Sequence, residues 1–454
     1  MAKVKSKFVC QNCGYESAGY LGKCPECSSW SSFVEEISGV SSCVEQQGLL
    51  DKNPPMKLSE IEMNSEIRVS TSISEFDRVL GGGIVQGSLI LIAGDPGIGK
   101  STILLQTSGE LCKKNKKVLY ISAEESASQI KLRAERLGVT SDNLYIYPQT
   151  NYECIKKYIE EMKPDLVIVD SIQAIYTNII QSSAGSVSQI RECCNSLMTL
   201  AKNNNVSIIV IGHVTKEGNI AGPKVLEHMV DTVIQFEGDK YKTYRILRSI
   251  KNRFGNTSEV GIFEMGSKGL TEVVNPSELF LKEYNQTQTP GSTIIVTNEG
   301  TRPLLVEIQA LVGTTPYPTP RRVSNGVDVS RVLQILAVLE KRIGLNLSKQ
   351  DVYVNVIGGI DVSEPAADLG IALAIITCVR DVVFDSHTAI VGEIGLSGEI
   401  RAVNHIDKRI NEAQKLGFKR IIIPEANDVQ NNIDGIEIVK VKRIIEAITR
   451  SVAK

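Results

Sequence analysis

The sequence of 454 residues has no long apolar segment. Its longest mostly apolar run, residues 369–379, is far shorter than the roughly 20 residues that a helix needs to span a bilayer. Residues 1–7 are rich in lysine and lead at once into cysteines, without the apolar core of a secretory signal. These absences exclude a membrane-spanning class and predict a soluble, cytoplasmic protein without a membrane partner.

Net charge is also nearly absent, at −2 by formal count. The chain as a whole therefore exerts no long-range attraction on nucleic acid, and any such binding must come from local basic patches. The length suits about three domains of ordinary size. Polar, turn-rich segments at residues 28–55 and 275–292 mark the boundaries. The predicted division is a finger at residues 1–30, a linker at 31–56, a central domain at 57–274 and a third domain at 275–454.

One stretch of the central domain carries a strong chemical signature. Residues 94–101, Gly-Asp-Pro-Gly-Ile-Gly-Lys-Ser, fit the pattern G-x-x-x-x-G-K-[ST] between a strand-like run and a helix-like run. Backbone N–H groups of such a loop surround phosphate oxygens, the Lys100 ammonium reaches the β- and γ-phosphates, and the Ser101 hydroxyl ligates Mg²⁺. This predicts a site for ATP or ADP. The predicted nucleotide-binding residues are Gly94, Asp95, Pro96, Gly97, Ile98, Gly99, Lys100, Ser101 and Thr102.

Two further β-rich runs, at residues 117–122 and 165–170, alternate with helical patterns in the same domain. This alternation predicts an α/β fold with a parallel sheet and with ligands at the carboxyl ends of its strands. Asp170 ends the second run and is predicted to hold the Mg²⁺ water shell. Glu124 follows the first run and is the predicted catalytic carboxylate. Its neighbour Glu125 is the alternative, and either residue could instead be a helix N-terminal acid stabilised by the macrodipole.

Four of the ten cysteines form two C-x-x-C pairs separated by ten residues. The thiolates of two such pairs converge on one tetrahedral ion, and four sulfurs suit Zn²⁺. So short a segment cannot build an apolar core, so the metal would supply the folding energy. A redox pair is the less favoured alternative. The pattern predicts a zinc site of Cys10, Cys13, Cys24 and Cys27, and the other six cysteines are expected to be small buried hydrophobes.

A basic segment at residues 240–254 contains six lysines and arginines, three aromatic residues and no acid. It is either a strand pair with a solvated basic face or a surface for phosphates. The phosphates would belong to DNA or to ATP bound by a neighbouring subunit. Composition alone does not separate these interpretations.

Beyond residue 292 the sequence alternates between strand-like and helix-like runs and holds no second P-loop, which predicts an α/β or α+β third domain. Strands are predicted at residues 304–312 and 352–357, and helices at residues 329–341 and 368–379.

Together these motifs closely resemble one family, the bacterial RadA (Sms) DNA-repair proteins, over essentially the whole chain. The KNRFG pentapeptide is the family's own signature. The resemblance is carried by the four-cysteine finger ending at Trp30 and by the segments GDPGIGKST (94–102), LVIVDSIQ (166–173), GHVTKEG (212–218), AGPKVLEHMVD (221–231), KNRFG (251–255), EGTRPLLVEIQALV (299–312) and EPAADLGIALAI (364–375).

The resemblance implies a RecA-like P-loop ATPase core between an N-terminal zinc finger and a C-terminal Lon-protease-like α/β domain. It implies a hexameric ring that binds single-stranded and branched DNA and hydrolyses ATP. It also implies that ATP drives branch migration, in the manner of DnaB-type helicases, and that the protein acts alongside RecA in recombination and repair.

The same resemblance assigns roles to individual residues. Lys100, Glu124 and Asp170 become the catalytic set of a RecA-type ATPase. Lys251 and Arg253 become either cations that reach the γ-phosphate held by a neighbouring subunit or residues of DNA translocation. The implied DNA contacts are Lys216 and Lys224 in a channel loop, Lys251 and Arg253 in the pentapeptide, and Arg321 and Arg322 in the third domain.

Active Lon-type peptidases use a serine–lysine dyad, and the matching positions here hold Ala366 and Asp407, with Lys408 beside the latter. An alanine cannot attack a carbonyl, and an aspartate cannot replace the lysine base, so peptidase activity is expected to be absent. Two alternatives to a DNA motor stay open. A signalling ATPase resembling KaiC leaves the finger and the third domain unexplained, and an ATP-dependent protease lacks the dyad.

Overall fold

The computed structural model describes residues 5–10, 15–26, 28, 30, 32–38, 67–213, 225–238, 244–257, 259–281, 289–358, 360–429 and 435–451. The chain divides into two compact units, Met1–Val273 and Val274–Lys454. No helix in these ranges is long and apolar enough to cross a membrane.

The N-terminal segment contains three strands: β1 (Lys5–Cys10), β2 (Glu16–Ser17) and β3 (Phe33–Ser38). They form an antiparallel sheet of order β2-β1-β3, in which every residue of β1 pairs with β3. Phe33, the first residue of β3, is buried beside Cys10 and Cys24. The predicted end of the finger at residue 30 is therefore wrong, because the first part of the predicted linker supplies a strand and a core residue.

The remainder of the first unit alternates strands and helices, which run in the order β4 (Arg68–Val69), α1 (Ser74–Leu80), β5 (Ile84–Val85), β6 (Leu89–Gly94), α2 (Lys100–Lys113), β7 (Val118–Ser122), α3 (Ala127–Arg136), β8 (Leu144–Tyr147), α4 (Tyr152–Met162), β9 (Leu166–Asp170), α5 (Val187–Asn204), β10 (Ser207–His213), α6 (Val225–Met229), β11 (Thr232–Glu237), β12 (Tyr244–Asn252), β13 (Val260–Gly266) and β14 (Gly269–Glu272). Nine strands form one sheet of order β14-β13-β12-β11-β6-β10-β9-β7-β8. The six strands from β11 to β8 are parallel, and β12 to β14 continue the sheet as antiparallel strands. The predicted α/β fold is confirmed.

Strand β6, which leads into the glycine-rich loop, is buried along its whole length. Ile90 and Ile92 belong to the core on one face of the sheet, whereas Leu89, Leu91 and Ala93 belong to the core on the other face. A parallel strand covered on both faces needs apolar residues at every position, which explains the uninterrupted apolar sequence. The glycine-rich loop therefore begins at the end of a buried central strand.

Helix α3 begins where the sequence provides a capping box. The Ser126 side chain accepts from the Gln129 N–H, and the Gln129 side chain accepts from the Ser126 N–H. The helix therefore starts within a few residues of the end of β7, and the acidic pair Glu124 and Glu125 lies in the connection between them.

Cysteines outside the finger are mostly buried, as expected of small apolar side chains. Cys112, Cys193 and Cys194 are buried, and Cys378 is half-buried. The expectation is wrong for Cys154, which is exposed in the first turn of α4.

The second unit contains, in order, α7 (Pro276–Phe280), β15 (Ser292–Glu299), β16 (Arg302–Thr314), β17 (Arg322–Asn325), α8 (Val329–Val338), β18 (Gln350–Val356), α9 (Asp368–Arg380), β19 (Thr388–Ile390), β20 (Glu393–Ile394), β21 (Ile400–Arg401), α10 (Ile406–Lys415), β22 (Arg420–Pro424), β23 (Glu437–Val441) and α11 (Ile444–Ser451). Seven of its strands form a mixed sheet of order β17-β18-β16-β15-β19-β22-β23. Buried α9 packs on β15 and β16. The helix predicted at residues 329–341 ends earlier, at Val338, and continues as the π-helical turn Leu339–Ile343.

Candidate nucleotide-binding site

The glycine-rich loop lies between the end of β6 at Gly94 and the start of α2 at Lys100. Gly97 has a φ of 78° and Gly99 a φ of 122°, and both values lie in the left-handed region that favours glycine. A β-carbon on Gly99 would also lie 2.8 Å from Met265 Cε. The loop conformation therefore requires these glycines, and it leaves the first N–H groups of α2 available for an anion.

Lys100 is held against its own loop. Its Nζ donates to the carbonyl oxygens of Gly94, at 2.7 Å, and Asp95, at 2.9 Å. Burial lowers the pKa of the ammonium group, whereas the nearby carboxylates of Asp170, Asp95 and Glu124 act in the opposite direction. Two carbonyl contacts thus fix the lysine beside three acids at the loop.

Asp170 is the last residue of β9 and lies opposite Ser122, the last residue of β7. The Tyr120 hydroxyl donates to Asp170 Oδ2 at 2.6 Å. Burial and the Asp170 carboxylate raise the pKa of Tyr120 well above its ordinary value. Hydroxyl and carboxylate oxygens are ligands that Mg²⁺ takes, so Ser101 and Asp170 fit this cation.

The two acids that follow β7 have different surroundings. Ser171 donates its hydroxyl hydrogen to Glu124 Oε1, and the Glu124 residue is exposed beside the cavity. Glu125 instead pairs with Arg133 of α3, with 2.6 Å between Oε1 and Nη2. Because Glu125 is committed to the helix that follows it, Glu124 is the better placed of the two to reach a bound phosphate.

A cavity of about 500 Å³ joins these residues. Of the predicted nucleotide set, Gly94, Asp95 and Ile98 are not part of its lining. They belong to the framework: Gly94 and Asp95 hold Lys100, and Ile98 is buried in the core. The cavity is lined by Pro96, Gly97, Gly99, Lys100, Ser101, Thr102, Ser122, Glu124, Glu125, Arg133, Arg136, Asp170, Arg245 and Met265.

Arg245 is a cavity residue that the sequence does not single out, because it is one of six cations in the basic segment. It is 7% exposed. Its Nε donates to the Ile98 carbonyl at 3.2 Å and its Nη1 to the Tyr244 carbonyl at 2.9 Å. Buried residues recur at every second position of β12 up to Ser249, which puts Arg245 on the same side as Leu247. This alternation is the sequence pattern that could have indicated a buried side chain at Arg245.

Lys251 and Arg253 lie near the end of the central strands that is opposite to the glycine-rich loop. Strand β12 runs antiparallel to β11, so its last residue, Asn252, pairs with Thr232. Thr232 pairs in turn with Ile90, close to the start of β6, whereas the loop follows the end of β6. The structure therefore does not bring Lys251 and Arg253 together with the P-loop of the same chain.

A buried carboxylate connects Arg253 with the start of the P-loop strand. Arg253 Nη1 lies 3.1 Å from Asp231 Oδ1, and Asp231 Oδ2 accepts from the Leu89 N–H, also at 3.1 Å. The Asp231 side chain is 4% exposed, and that of Arg253 is 50% exposed. The arginine is thus anchored on one side and open to its surroundings on the other.

Lys251 has a different environment. Its Nζ donates to the carbonyl oxygens of Glu227, His228 and Val230, at 2.7, 3.2 and 2.8 Å. Desolvation, followed by the nearby Arg253 charge, lowers the pKa of this ammonium group. Three carbonyl acceptors at the end of α6 make the lysine a cap of that helix.

Half of the predicted zinc ligands are within the described ranges. Cys10 and Cys24 are fully buried and pack together with Phe33 in the core of the N-terminal sheet. Cys13 and Cys27 lie outside the described residues, and the remaining described side chains bring no group of three candidate metal ligands together. Two thiols in one small core fit the sulfur ligands that Zn²⁺ prefers.

The residues predicted to contact DNA are only partly described. Lys216 and Lys224 lie outside the described residues. Arg321 is exposed, and its guanidinium carbon lies 4.2 Å from the centroid of the Tyr317 ring. Arg322 donates to the carbonyl oxygens of Gln350 and, at 2.7 Å, Leu347. Arg321 is therefore presented at the surface, whereas Arg322 mainly ties β17 to the start of β18.

In the second unit, Ala366 lies in the 3₁₀ turn Pro365–Ala367 and is 2% exposed. Glu364, just before this turn, accepts from the buried guanidinium of Arg409 and, at 2.8 Å, from the Asn298 N–H. Asp407 is the second residue of α10. The side chain at position 366 is a methyl group, which offers no nucleophile.

Two family models match segments of the first unit. A model of the AAA domain matches residues 54–219, and a model of the rubredoxin metal binding domain matches residues 8–35. Together with the glycine-rich loop and the parallel sheet, the first match defines an ATPase of the P-loop class. A model of subunit ChlI of Mg-chelatase matches residues 327–427. This lies within the domain for which a Lon-protease-like fold was predicted, and that likeness stays a prediction.

Relatives that cover nearly the whole chain show the family. The DNA repair protein RadA of Halalkalibacterium halodurans is 54% identical over 432 residues, which cover 94% of each chain. DNA repair protein RadA of Bacillus subtilis and of Listeria monocytogenes are each 51% identical, over 456 and 457 residues that cover 99% of each chain. The chain belongs to the RadA family of DNA repair proteins.

Proposed function

We propose that this protein is an ATP-driven DNA motor of homologous recombination and repair. It binds single-stranded DNA and promotes branch migration of recombination intermediates alongside RecA, as a hexameric ring in the cytoplasm. One observation carries the motor assignment: the nucleotide cavity and the exposed cation Arg253 lie at opposite ends of the same strands. Subunits that follow one another head to tail would each complete the next subunit's site.

The residues of the cavity have separable tasks in ATP hydrolysis. Lys100 would exchange the loop carbonyls for phosphate oxygens, and Ser101 and Asp170 would hold Mg²⁺. The bound Mg²⁺ would neutralise charge on the phosphates. Glu124 orients the attacking water, and Ser171 holds the carboxylate in place. Arg253 of a neighbouring subunit, near Lys251, would supply the positive charge that stabilises the transferred phosphoryl group.

The other regions serve the same motor. Residues 5–38 form a zinc finger that engages DNA. The ATPase domain occupies residues 57–274, and the third domain, residues 275–454, is a Lon-protease-like platform for assembly and DNA guidance without peptidase activity. The proposed DNA contacts are Lys216, Lys224, Lys251, Arg253, Arg321 and Arg322.

The proposal is tested by ATPase rates with and without single-stranded DNA. The wild-type rate is expected to rise with DNA, and Arg253→Ala is expected to abolish the rise. The matched control is Arg248→Ala, which removes an arginine of the preceding strand β12. Arg248 pairs with Glu237 at 3.3 Å, and its loss should leave the stimulation intact. A wild-type rate that is indifferent to DNA would favour a signalling ATPase. A rate stimulated by unfolded protein, with peptide release, would favour a protease.

A further inference from the structure

One buried polar group of the nucleotide site has no part in the mechanism above. Tyr120 is the third residue of β7 and is fully buried in the main core of the ATPase domain. Its ring lies among apolar residues, yet it carries a hydroxyl group into that core. Burial of a hydroxyl is unfavourable unless hydrogen bonds satisfy it. Phenylalanine would fill the same space without that cost, so the hydroxyl needs a reason.

Register explains where the hydroxyl goes. Tyr120 lies opposite Ile168 on the neighbouring strand β9, and Asp170 is two residues further along that strand. Residues two apart point to the same face of a sheet, so the ring lies beside Ile168 and the hydroxyl extends toward Asp170. It donates to Asp170 Oδ2 at 2.6 Å.

The phenol therefore contacts one of the two residues that would hold Mg²⁺. Asp170 is the last residue of β9, whereas Ser101 lies in the first turn of α2. A hydrogen bond to Oδ2 fixes the rotation of the carboxylate and leaves Oδ1 for the water shell of the cation. Such outer partners orient metal ligands and tune affinity.

We propose that Tyr120 is a positioning residue for Mg²⁺, because its hydroxyl holds the Asp170 carboxylate in the orientation that the cation needs. This inference rests on the proposed function only for the nucleotide and Mg²⁺ roles of Ser101 and Asp170. It does not depend on DNA, so a protein whose ATPase ignores DNA would still show the effect.

The test is the Mg²⁺ dependence of ADP binding, measured by calorimetry without turnover. Tyr120→Phe keeps the ring and removes only the hydroxyl. Its affinity for ADP in chelator should stay within about twofold of wild type, and the Mg²⁺ concentration that gives half of the Mg²⁺-induced gain in affinity should rise roughly tenfold. Tyr152→Phe is the matched control, because Tyr152 is 6% exposed and donates to the Ser196 carbonyl, remote from the cavity. It should leave both quantities unchanged.

A double-mutant cycle with Asp170→Asn separates positioning from packing. In the Asp170→Asn background, Tyr120→Phe should change the Mg²⁺ half-point by less than about twofold, because the group that it orients is already altered. Thermal unfolding of all variants reports any loss of stability. The inference is overturned if Tyr120→Phe shifts only the unfolding temperature, or weakens ADP binding equally with and without Mg²⁺.

Discussion

The position of Arg253 predicts that two inactive variants restore each other's activity when they are mixed. In one chain, Arg253 is anchored through Asp231 to the N–H of Leu89, whereas the loop follows Gly94 at the other end of the same strand. Five residue steps of a parallel strand span about 17 Å. An arginine anchored there cannot serve its own loop, so a role for Arg253 in hydrolysis would require the loop of another subunit.

Lys100→Ala and Arg253→Ala should each be nearly inactive alone. The first variant lacks the phosphate-binding ammonium, and the second loses a cation that is worth on the order of 10³ in turnover when it acts on a phosphoryl group. In a mixed ring, an Arg253→Ala subunit keeps its loop and receives Arg253 from a Lys100→Ala neighbour. In a random, equal mixture half of the subunits have an intact loop, and half of those face an intact arginine. Roughly a quarter of the sites are then complete.

The assay is phosphate release with single-stranded DNA, after the two variants have been combined and allowed to exchange subunits. The matched control replaces Lys100→Ala by the double variant Lys100→Ala/Arg253→Ala, which supplies no arginine and should leave the mixture at background. Co-purification through a tag on one variant verifies that mixed assemblies form. If mixed assemblies form and the rate stays at background, the trans role is refuted and Arg253 acts on DNA or on the fold alone.

Three further results follow from described contacts. Asp231→Ala should lower the free energy of unfolding by about 2 kcal/mol in urea titrations, because it removes the acceptor shared by Arg253 and the first N–H of β6. A stability equal to wild type would contradict this role of the carboxylate. Cys24→Ser should lower the zinc content measured by metal analysis, as should prolonged chelation of the wild type, whereas Cys112→Ser, at a buried cysteine outside the finger, should keep full zinc. Ala366→Ser should gain no activity on a fluorogenic peptide, since the lysine of the dyad is still missing, and peptide release would show that the domain retains catalytic machinery.

What the sequence located best were residues that are neighbours along the chain. The loop glycines, Lys100 and Ser101 lie within eight residues, and their backbone geometry follows from that short pattern. Asp170 could be found because a strand covered on both faces is apolar until it ends, so the first carboxylate marks the edge of the sheet. Both predictions needed only local rules of strand burial and loop conformation.

What the sequence did not predict depends on contacts between distant segments. Arg245 reaches the cavity because β12 lies beside β11, which pairs with the P-loop strand, and no local pattern gives that order of strands. Tyr120 reads as an ordinary core residue until the register of β7 against β9 is known. Strand β3 lies in a segment whose composition predicts a linker, because its single buried aromatic residue, Phe33, is too weak a periodic signal.

Contacts with distant segments also distinguish the residues of the KNRFG pentapeptide, which the sequence presents only as one basic motif. Lys251 is occupied by three carbonyl oxygens. Asn252 is buried, and its Nδ2 donates to the Leu80 carbonyl at 3.1 Å. A β-carbon on Gly255 would lie 3.0 Å from Gly81 Cα, so the turn is packed against the glycines that follow α1. Arg253 is the member whose charged group combines a buried anchor with half of its side chain exposed. The packed turn thus holds the backbone of Arg253 in place. A substitution at Lys251 would first disturb the conformation of this turn, whereas a substitution at Arg253 would remove the exposed positive charge.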